Sequence, residues 1–356
     1  MMERFEMADG VSYYIDPRIL RKARAAAERL FRKLGVVSVE VGSKVVKGKK
    51  TKTLAIVVGV RKKLPKVLLK RRDLIPDIIK GMFTDVIEVG EIRALTNPSE
   101  TDPADHQRRR RPLVGGISIG HKAVSAGTLG FITYDEDGNN ILVSNCHVLA
   151  NSGDCSIGDS VLQPGSYDGG VMPDDVVAYL SRFVPIRFLS GEGEGMLRRL
   201  WSSILSIFGL GQNPPVNKVD AAIASPLDGI TDPGRPILGI PEYREEAFPM
   251  TLPKLGMKVV KSGRTTGVVR GEITGVDASV IVNYGKGKRA KFVGQFTTTP
   301  AIGEPGDSGS AILFSEGDAG SVAVDENGDI IGLLFAGSEH MTIANPIIDV
   351  YEELGL

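Results

Sequence analysis

The chain has 356 residues, 43 of them glycine, and a formal net charge of zero. Its length predicts two or three cores, and its glycine content favours many turns and a β-rich body. It has no run of about 18 apolar residues and no apolar signal segment, so we expect neither a membrane span nor secretion. Its two cysteines, Cys146 and Cys155, cannot form the disulfide framework of small secreted domains. We therefore expect a cytoplasmic protein with free thiols, a bond between the two cysteines being the alternative.

The charges are unevenly distributed along the chain. Residues 1–111 contain 26 Lys and Arg against 14 Asp and Glu, whereas residues 112–356 contain 17 against 29. The two parts therefore carry net charges of +12 and −12. They are either two solvated surfaces of different composition or a basic part that docks on an acidic part. Nucleic-acid binding is a third interpretation, but the basic residues are not interleaved with aromatic residues for base stacking, so no nucleic acid is expected.

Residues 1–95 predict a small α+β domain. Asp16 and Pro17 have the composition of a helix start, and Gly35 is placed to end that helix. The apolar stripe of the helix comprises Ile19, Leu20, Ala23, Ala27, Leu30, Phe31 and Leu34. The further expected elements are strands at 36–46 and 53–60 joined by a turn at 47–50, a weaker helix at 74–82 and a short strand at 86–89. This part contains no histidine and no clustered carboxylates, so we expect no chemistry there.

Residues 96–111 have the composition of a basic linker that ends in four consecutive arginines. From Pro112 onward, short strands alternate with Gly- and Asp-rich turns, which is typical of a barrel or a sandwich. An insertion at 189–215 interrupts this pattern. Within it, residues 196–208 predict an amphipathic helix that carries the only tryptophan, Trp201. This helix could pack on the barrels, form a subunit interface or substrate lid, or contact a membrane surface.

The loop at 303–310 has the sequence GEPGDSGS and is built to expose one serine. Gly306 and Gly309 allow backbone conformations that a Cβ would forbid. An apolar strand follows directly, so the loop leads into a sheet. Ser308 could act as a nucleophile if a base, a carboxylate and backbone N–H groups reach it.

Two upstream stretches supply these partners. Residues 141–150 (ILVSNCHVLA) form a strand-like run with His147 at its end, and residues 219–224 (VDAAIA) place Asp220 at the head of an apolar strand. Histidine can accept and return a proton near neutral pH, and the aspartate would fix its tautomer. The less favoured alternatives are His121 and His340 as the base, and Asp159, Asp174 and Asp175 as the carboxylate. A metal site from Cys146, His147 and Cys155 is disfavoured because neighbours on a strand point to opposite faces, so neither metal nor cofactor is expected.

The chain order His, Asp, Ser is that of the chymotrypsin-type triad. Together with the SNCHVLA and GDSGS motifs, it resembles the trypsin/chymotrypsin-fold serine peptidases. It resembles more closely the cytosolic prokaryotic and plant branch typified by the rice narrow-leaf protein. The resemblance implies a mainly β fold with two six-stranded antiparallel barrels at 112–356, preceded by a small α+β accessory domain. It also implies a serine endopeptidase that cleaves protein or peptide substrates through a Ser308, His147 and Asp220 triad and an acyl-enzyme.

The resemblance further implies that the amides of Gly306 and Ser308 form the oxyanion hole. It implies a substrate pocket walled by Ile302, Phe335, Ala336 and Gly337. Because Ile302 falls where trypsins have an aspartate, we expect a preference for apolar or small side chains. Three hypotheses accompany the peptidase: a scaffold that kept the fold and lost turnover, inhibition by the basic N-terminal part, and homo-oligomerisation through the 196–208 helix.

Residues 112–116 (PLVGG) look like the mature N-terminus of activated trypsins. In those enzymes the freed amino group pairs with the aspartate before the serine, which is Asp307 here. A bond before Pro112 resists trypsin-like cleavage. We therefore expect a lysine, an arginine or backbone N–H groups to satisfy Asp307, and an active-site geometry that needs no activation.

Overall fold

The computed structural model describes residues 15–46, 48–94, 105–189, 214–240, 252–314 and 329–356. The helices in this part of the chain are α1 (Pro17–Leu30), α2 (Cys146–Leu149) and α3 (Ile347–Leu354), with 3₁₀ turns at Lys66–Leu68, Arg71–Asp73, Asn151–Gly153 and Ser166–Asp168. The strands are β1 (Val36–Val46), β2 (Lys49–Val60), β3 (Ile78–Ile79), β4 (Met82–Glu88), β5 (Arg93–Ala94), β6 (Ser118–His121), β7 (Gly127–Thr128), β8 (Phe131–Tyr134), β9 (Asn140–Ser144), β10 (Ser160–Leu162), β11 (Val176–Phe183), β12 (Ala222–Pro226), β13 (Lys258–Gly263), β14 (Gly267–Asn283), β15 (Arg289–Thr298), β16 (Ala311–Phe314), β17 (Ile330–Gly337) and β18 (Thr342–Pro346). No helix among these residues is long and apolar enough to cross a membrane.

The first sheet contains seven strands in the order β7-β6-β10-β11-β12-β9-β8, and all of its pairs are antiparallel. Two of its neighbouring pairs, β6 with β10 and β12 with β9, are not consecutive in the chain, so the sheet is not a simple meander. The central strands β9 and β12 pair directly, with Val143 opposite Ile223. Both residues are buried. Each of the two stretches that carry a candidate catalytic residue therefore adjoins a central strand of the same sheet.

The second sheet closes on itself. Its order is β13-β16-β17-β18-β15-β14, and β13 also pairs with β14, so these six strands form a ring. The serine loop lies between β15 and β16, at one end of this barrel. The mainly β expectation is confirmed, since both layers that carry the site are curled β-sheets.

The N-terminal strands extend the second sheet. β1 pairs antiparallel with β14, with Ser38 opposite Val280, and β2, β4 and β3 follow outward, so that this sheet has eleven strands including β5. The predicted first helix is confirmed as α1. The Asp16 side chain accepts a hydrogen bond from the Arg18 amide at its start, and its apolar face, which includes Leu30, is buried in the core shared with β14 and β15.

The helix expected at 74–82 is wrong. This segment instead contains β3 and the start of β4, which form a tight hairpin. Its turn residues Lys80 and Gly81 both have positive φ, a conformation that ends a helix and starts a reversal. Pro76 also lacks the amide that a helix interior requires. The predicted helix at 196–208 lies outside the described residues.

Candidate active site

His147 lies on α2, one turn beyond the end of β9, and not at a strand end as expected. The chain turns into the helix at Asn145, and the Leu149 amide donates to the Asn145 carbonyl over 2.9 Å. The Asn145 side-chain amide donates to the Asp220 backbone carbonyl over 2.7 Å. This bond links the start of α2 to Asp220, which lies two residues before β12.

His147 and Asp220 are in direct contact. The Nδ1 atom of His147 lies 2.6 Å from Oδ2 of Asp220, and the His147 backbone amide donates to Oδ1 over 3.1 Å. Both side chains are fully buried. A carboxylate at this distance requires a proton on Nδ1, so a neutral ring has its lone pair on Nε2. That Nε2 atom is buried and has no hydrogen-bond partner among the described residues, which leaves it free to accept a proton.

Tyr284 contributes a third donor to the carboxylate. Its hydroxyl donates to Oδ2 of Asp220 over 2.8 Å, and its ring meets that of His147 edge-on, with centroids 5.9 Å apart. Burial, followed by the neighbouring Asp220 charge, raises the pKa of Tyr284 well above its usual value, so the hydroxyl stays a donor. No sequence pattern predicted a role for this residue. It stands just after β14, in the turn to β15, and nothing local marks it as a partner of an aspartate 64 positions away.

A second set of bonds fixes the Asp220 backbone against the barrel. Its amide donates to Oδ1 of Asn345 over 3.2 Å, and the Asn345 side-chain amide donates to the Leu333 carbonyl over 3.2 Å. Asn345 lies on β18 and Leu333 on β17. One buried amide side chain therefore joins the Asp220 backbone to two strands of the second sheet.

Ser308 lies in the loop between β15 and β16 and is hydrogen-bonded to both sheets. Its carbonyl accepts a hydrogen bond from the Thr128 amide over 2.7 Å, and the next residue, Gly309, has a φ of +95°. A Cβ at Gly309 would lie 2.1 Å from the Thr128 carbonyl oxygen, so only glycine fits. The Ser308 hydroxyl donates to the Phe335 carbonyl over 3.0 Å, and the side chain is fully buried. In this conformation the hydroxyl is directed to β17.

The amides of Gly306 and Ser308 have no hydrogen-bond acceptor in the described parts of the chain. Gly306 has a φ of +96°, and its carbonyl accepts a hydrogen bond from the Thr128 hydroxyl over 3.0 Å. The carbonyl is thereby turned into the protein. The N–H groups of Gly306 and Ser308 can therefore donate to another acceptor beside the serine.

Asp307 is neutralised by a lysine and by backbone amides, as expected. The Nζ atom of Lys261 lies 2.8 Å from Oδ2 of Asp307, and both side chains are fully buried. The amides of Glu304, Thr265 and Thr266 donate to the carboxylate over 2.9, 2.8 and 3.2 Å. Burial lowers the pKa of Lys261, and the Asp307 charge opposes that effect.

Residues 113–116 do not supply that cation. The amides of Leu113 and Gly115 donate to the carbonyls of Ile230 and Pro236, so this stretch is bonded along its backbone as an internal segment. The serine loop is therefore supported by a buried side chain on β13 and not by a chain terminus. The signal in the sequence was a lysine directly after the apolar pair Val259 and Val260 of β13.

The side chains of the predicted pocket residues fall in two apolar clusters, although the Ile302 amide donates over 2.9 Å to the hydroxyl of Thr342, which pairs with Gly337. Phe335, Ala336 and Gly337 follow one another on β17 beside Ser308, and the Phe335 ring packs on Phe292 with centroids 4.7 Å apart. Ile302 is buried in a different apolar cluster. There its side chain closes against Gly271.

A polar cleft of about 630 Å³ opens next to Tyr284. Its walls come from β5, the 3₁₀ turn after α2 and the hairpin after β14. The charged residues that line it are Arg93, Lys286 and Lys288 against the single acid Asp154. Because Tyr284 bonds to Asp220, this cleft adjoins the histidine side of the site.

The alternative site residues lie elsewhere. His121 pairs with Asp159, with Nε2 and Oδ2 3.1 Å apart, and Asp175 pairs with Arg109. The His340 side chain has no bond to a carboxylate in the described residues. Cys146 and Cys155 are both free, and burial, followed by the Asp220 charge, raises the pKa of Cys146. No group of three or more His, Cys, Asp or Glu within the described ranges is arranged to hold a metal.

No family model matches the chain, and no curated protein matches it. Among solved structures, a glutamic acid-specific serine protease is 20% identical, with a TM-score of 0.41 and coverage of 68% of this chain and 98% of its own. Nocardiopsis protease (14%, 0.39, 68% and 96%) and Cellulomonas bogoriensis chymotrypsin (16%, 0.38, 68% and 95%) are also similar. At this level of similarity no residue's role transfers from them to this chain.

Proposed function

We propose that this protein is a serine endopeptidase in which Ser308 is the nucleophile, His147 the general base and Asp220 the orienting carboxylate. The observation that carries the proposal is the contact between His147 and Asp220, with Nδ1 bonded and Nε2 left free. A base must present an unoccupied lone pair and a fixed orientation. The described part of the chain has one histidine in this arrangement.

The reaction begins when the Ser308 hydroxyl turns from the Phe335 carbonyl to Nε2 of His147. His147 takes the proton as Oγ attacks a peptide carbonyl, and it returns that proton to the leaving amine, which leaves an acyl-enzyme. Water then attacks the acyl-enzyme, with His147 again taking and returning a proton, and the carboxylic acid product leaves Ser308 free. Asp220 stabilises the imidazolium, and the Tyr284 and His147 amide donors hold Asp220 in place.

The amides of Gly306 and Ser308 are the proposed oxyanion hole. They have no competing acceptor in the described residues, so no bond must break before they bind the developing negative charge. A single donor of this kind contributes about 100- to 1000-fold to the rate of acyl transfer. The buried Lys261 and Asp307 pair holds the loop that carries both amides.

The remaining predictions belong to the same proposal. Substrates are proteins or peptides, with Phe335, Ala336 and Gly337 beside the scissile bond, while Ile302 as the pocket base stays a prediction. We retain residues 1–95 as an accessory unit and assign the chain to the cytosolic prokaryotic and plant branch of this peptidase group. Oligomerisation through 196–208 and a cytoplasmic location stay predictions.

The test is covalent labelling with a fluorophosphonate, which reacts with an activated serine. We expect labelling of the wild type, complete loss in Ser308→Ala, and full retention in the exposed control Ser156→Ala. Labelling would be read by mass spectrometry of the modified peptide. Equal labelling of the wild type and Ser308→Ala would contradict the proposal.

A second candidate is a protein-interaction scaffold without turnover. The observation that favours it is the complete burial of Ser308, with its hydroxyl bonded to Phe335. A scaffold would bind peptides without hydrolysis and would not react with the fluorophosphonate. Labelling of Ser308 in the wild type, with none in Ser308→Ala, would exclude this candidate.

A further inference from the structure

The edge of β17 nearest the serine is continuously occupied. Ile330, Gly332 and Leu333 take part in its pairing with β16. The Leu334 amide then donates to the Ser310 carbonyl, and the Phe335 carbonyl accepts from the Ser308 hydroxyl. Directly beyond that point the same strand pairs with β5.

The pairing with β5 is antiparallel, with Ala94 opposite Ala336 and Arg93 opposite Gly337. On its other side β17 pairs with β18 at the same two residues, through Ile343 and Thr342. β5 also touches the far strand β14, where Arg93 lies opposite Asn283. The two residues of β5 therefore fill the only side of β17 that β18 leaves open at this position.

We infer that the chain's own Arg93 and Ala94 occupy the edge of Ala336 and Gly337 at which an extended peptide substrate of the proposed peptidase would pair. The inference deepens the proposed peptidase function and rests on it. A peptide whose carbonyl reaches Ser308 must run along the edge that Ser308 adjoins, and extended peptides bind open strand edges through main-chain hydrogen bonds. β5 makes that pairing, so it excludes such a peptide until it is displaced.

The side chains indicate which peptides fit. Ala94 is buried in the same apolar cluster as Phe335 and Ala336, so the corresponding position of a ligand must be small and apolar. Arg93 is largely exposed and pairs with Glu91 over 2.6 Å, so the preceding position tolerates large polar residues. The ligand class is an extended peptide with a small apolar residue next to Ala336.

The binding test uses a fluorescein-labelled peptide with the sequence of residues 91–94, Glu-Ile-Arg-Ala, in fluorescence polarisation. Ala94→Pro removes the amide donor of β5 and disfavours strand pairing. Its matched control is Ile78→Pro on β3, a two-residue strand at the far end of the same sheet. We expect Ala94→Pro to bind the peptide at least about tenfold more tightly than the wild type and the control. Equal affinity in all three proteins would overturn the inference.

The fluorophosphonate reaction on the same proteins separates the two ideas. Faster labelling in Ala94→Pro together with tighter peptide binding supports both. Tighter binding without any labelling keeps the peptide site and removes the peptidase. Rapid labelling of the wild type with unchanged peptide binding keeps the peptidase and removes the inference.

A reversible lock covers the case in which Ala94→Pro does not fold. Arg93 and Gly337 are directly opposed in the strand pair, so cysteines placed at these two positions would stand within reach of a disulfide. The double variant Arg93→Cys with Gly337→Cys should lose peptide binding and labelling when oxidised and recover both on reduction, with the reduced double variant as the reference for the oxidised one. Arg93→Cys alone is the control. An oxidised double variant that binds and reacts like its reduced form would contradict the inference.

Discussion

Two buried carboxylates flank the site and are balanced in different ways. Asp307, behind the serine, has a buried cation 2.8 Å away and several backbone amides. Asp220, behind the histidine, receives neutral donors: the His147 amide, the Tyr284 hydroxyl and the His147 ring. No lysine or arginine bonds to it in the described residues.

The difference teaches what each carboxylate is for. The charge of Asp307 is balanced by Lys261, so this carboxylate stabilises one conformation of the serine loop and exerts little net attraction on a further cation. A buried carboxylate such as Asp220, which has only neutral donors, can stabilise the imidazolium that forms during the reaction. The charge of His147 therefore completes the pair only when the ring takes the serine's proton.

The largest effect is expected from Lys261→Met, which leaves Asp307 buried without its cation. Removing one partner of a buried pair destabilises by about 3–5 kcal/mol, because the remaining charge cannot be solvated. Chemical denaturation would measure the loss of unfolding free energy. Lys258→Met on the same strand removes an exposed pair with Glu272 and should cost less than about 1 kcal/mol. Similar losses in the two variants would show that the pair on Asp307 does not differ from a surface pair.

A smaller effect is expected from Tyr284→Phe, which removes one donor from Asp220. A hydrogen bond to a charged group contributes about 1.5–3 kcal/mol, so fluorophosphonate labelling should slow by about tenfold or more. The control is Tyr179→Phe, whose ring is exposed on β11 and should change neither rate nor stability. Unaltered labelling in Tyr284→Phe would mean that two donors suffice to orient the carboxylate.

A third buried carboxylate extends the comparison to pH. Glu40 on β1 has one hydroxyl partner, Thr297, at 2.9 Å, and burial raises its pKa from 4.5 to about 7. The folded state therefore holds a proton that the unfolded state has released between these two pH values. Stability is complete below pH 4.5 and falls as pH rises through about 7, by at most about 1.4 kcal/mol per pH unit.

The variant Glu40→Gln keeps the bond to Thr297 and removes the titration, so it acts on the pH dependence of stability and not on the catalytic residues. Chemical denaturation at about pH 5 and at about pH 8, roughly one to two units on either side of the shifted pKa, would compare its free energy of unfolding with that of the wild type. The variant should lack this fall in stability, whereas the exposed control Glu136→Gln should retain it. A parallel decline in all three proteins would assign the pH dependence to another group.

The parts of the fold that depend on local pattern could be predicted. Asp16 and Pro17 mark the start of α1, and the glycines of the serine loop are needed for its positive φ values. His147 and Asp220 were selected by their order and by their adjacent apolar runs. In the structure the two side chains are in contact. Their spacing in the sequence could not predict that distance.

What the sequence missed depends on distant pairing. Tyr284, Lys261 and β5 each act on residues far along the chain, and no local periodicity records such contacts. The false helix at 74–82 arose because apolar residues in a short hairpin can imitate helical spacing. There the left-handed Lys80 and Gly81 decided the outcome.

The pairing of β1 with β14 sets the timing of folding during synthesis. Ser38 emerges from the ribosome 242 residues before its partner Val280, an interval of roughly ten seconds or more at ordinary elongation rates. Throughout that time the inner edge of β1 has no neighbour and can pair with another chain. A nascent protein that stalls before β14 would therefore be a target for chaperones, and a chain shortened to begin near Pro112 would expose the complementary edge of β14.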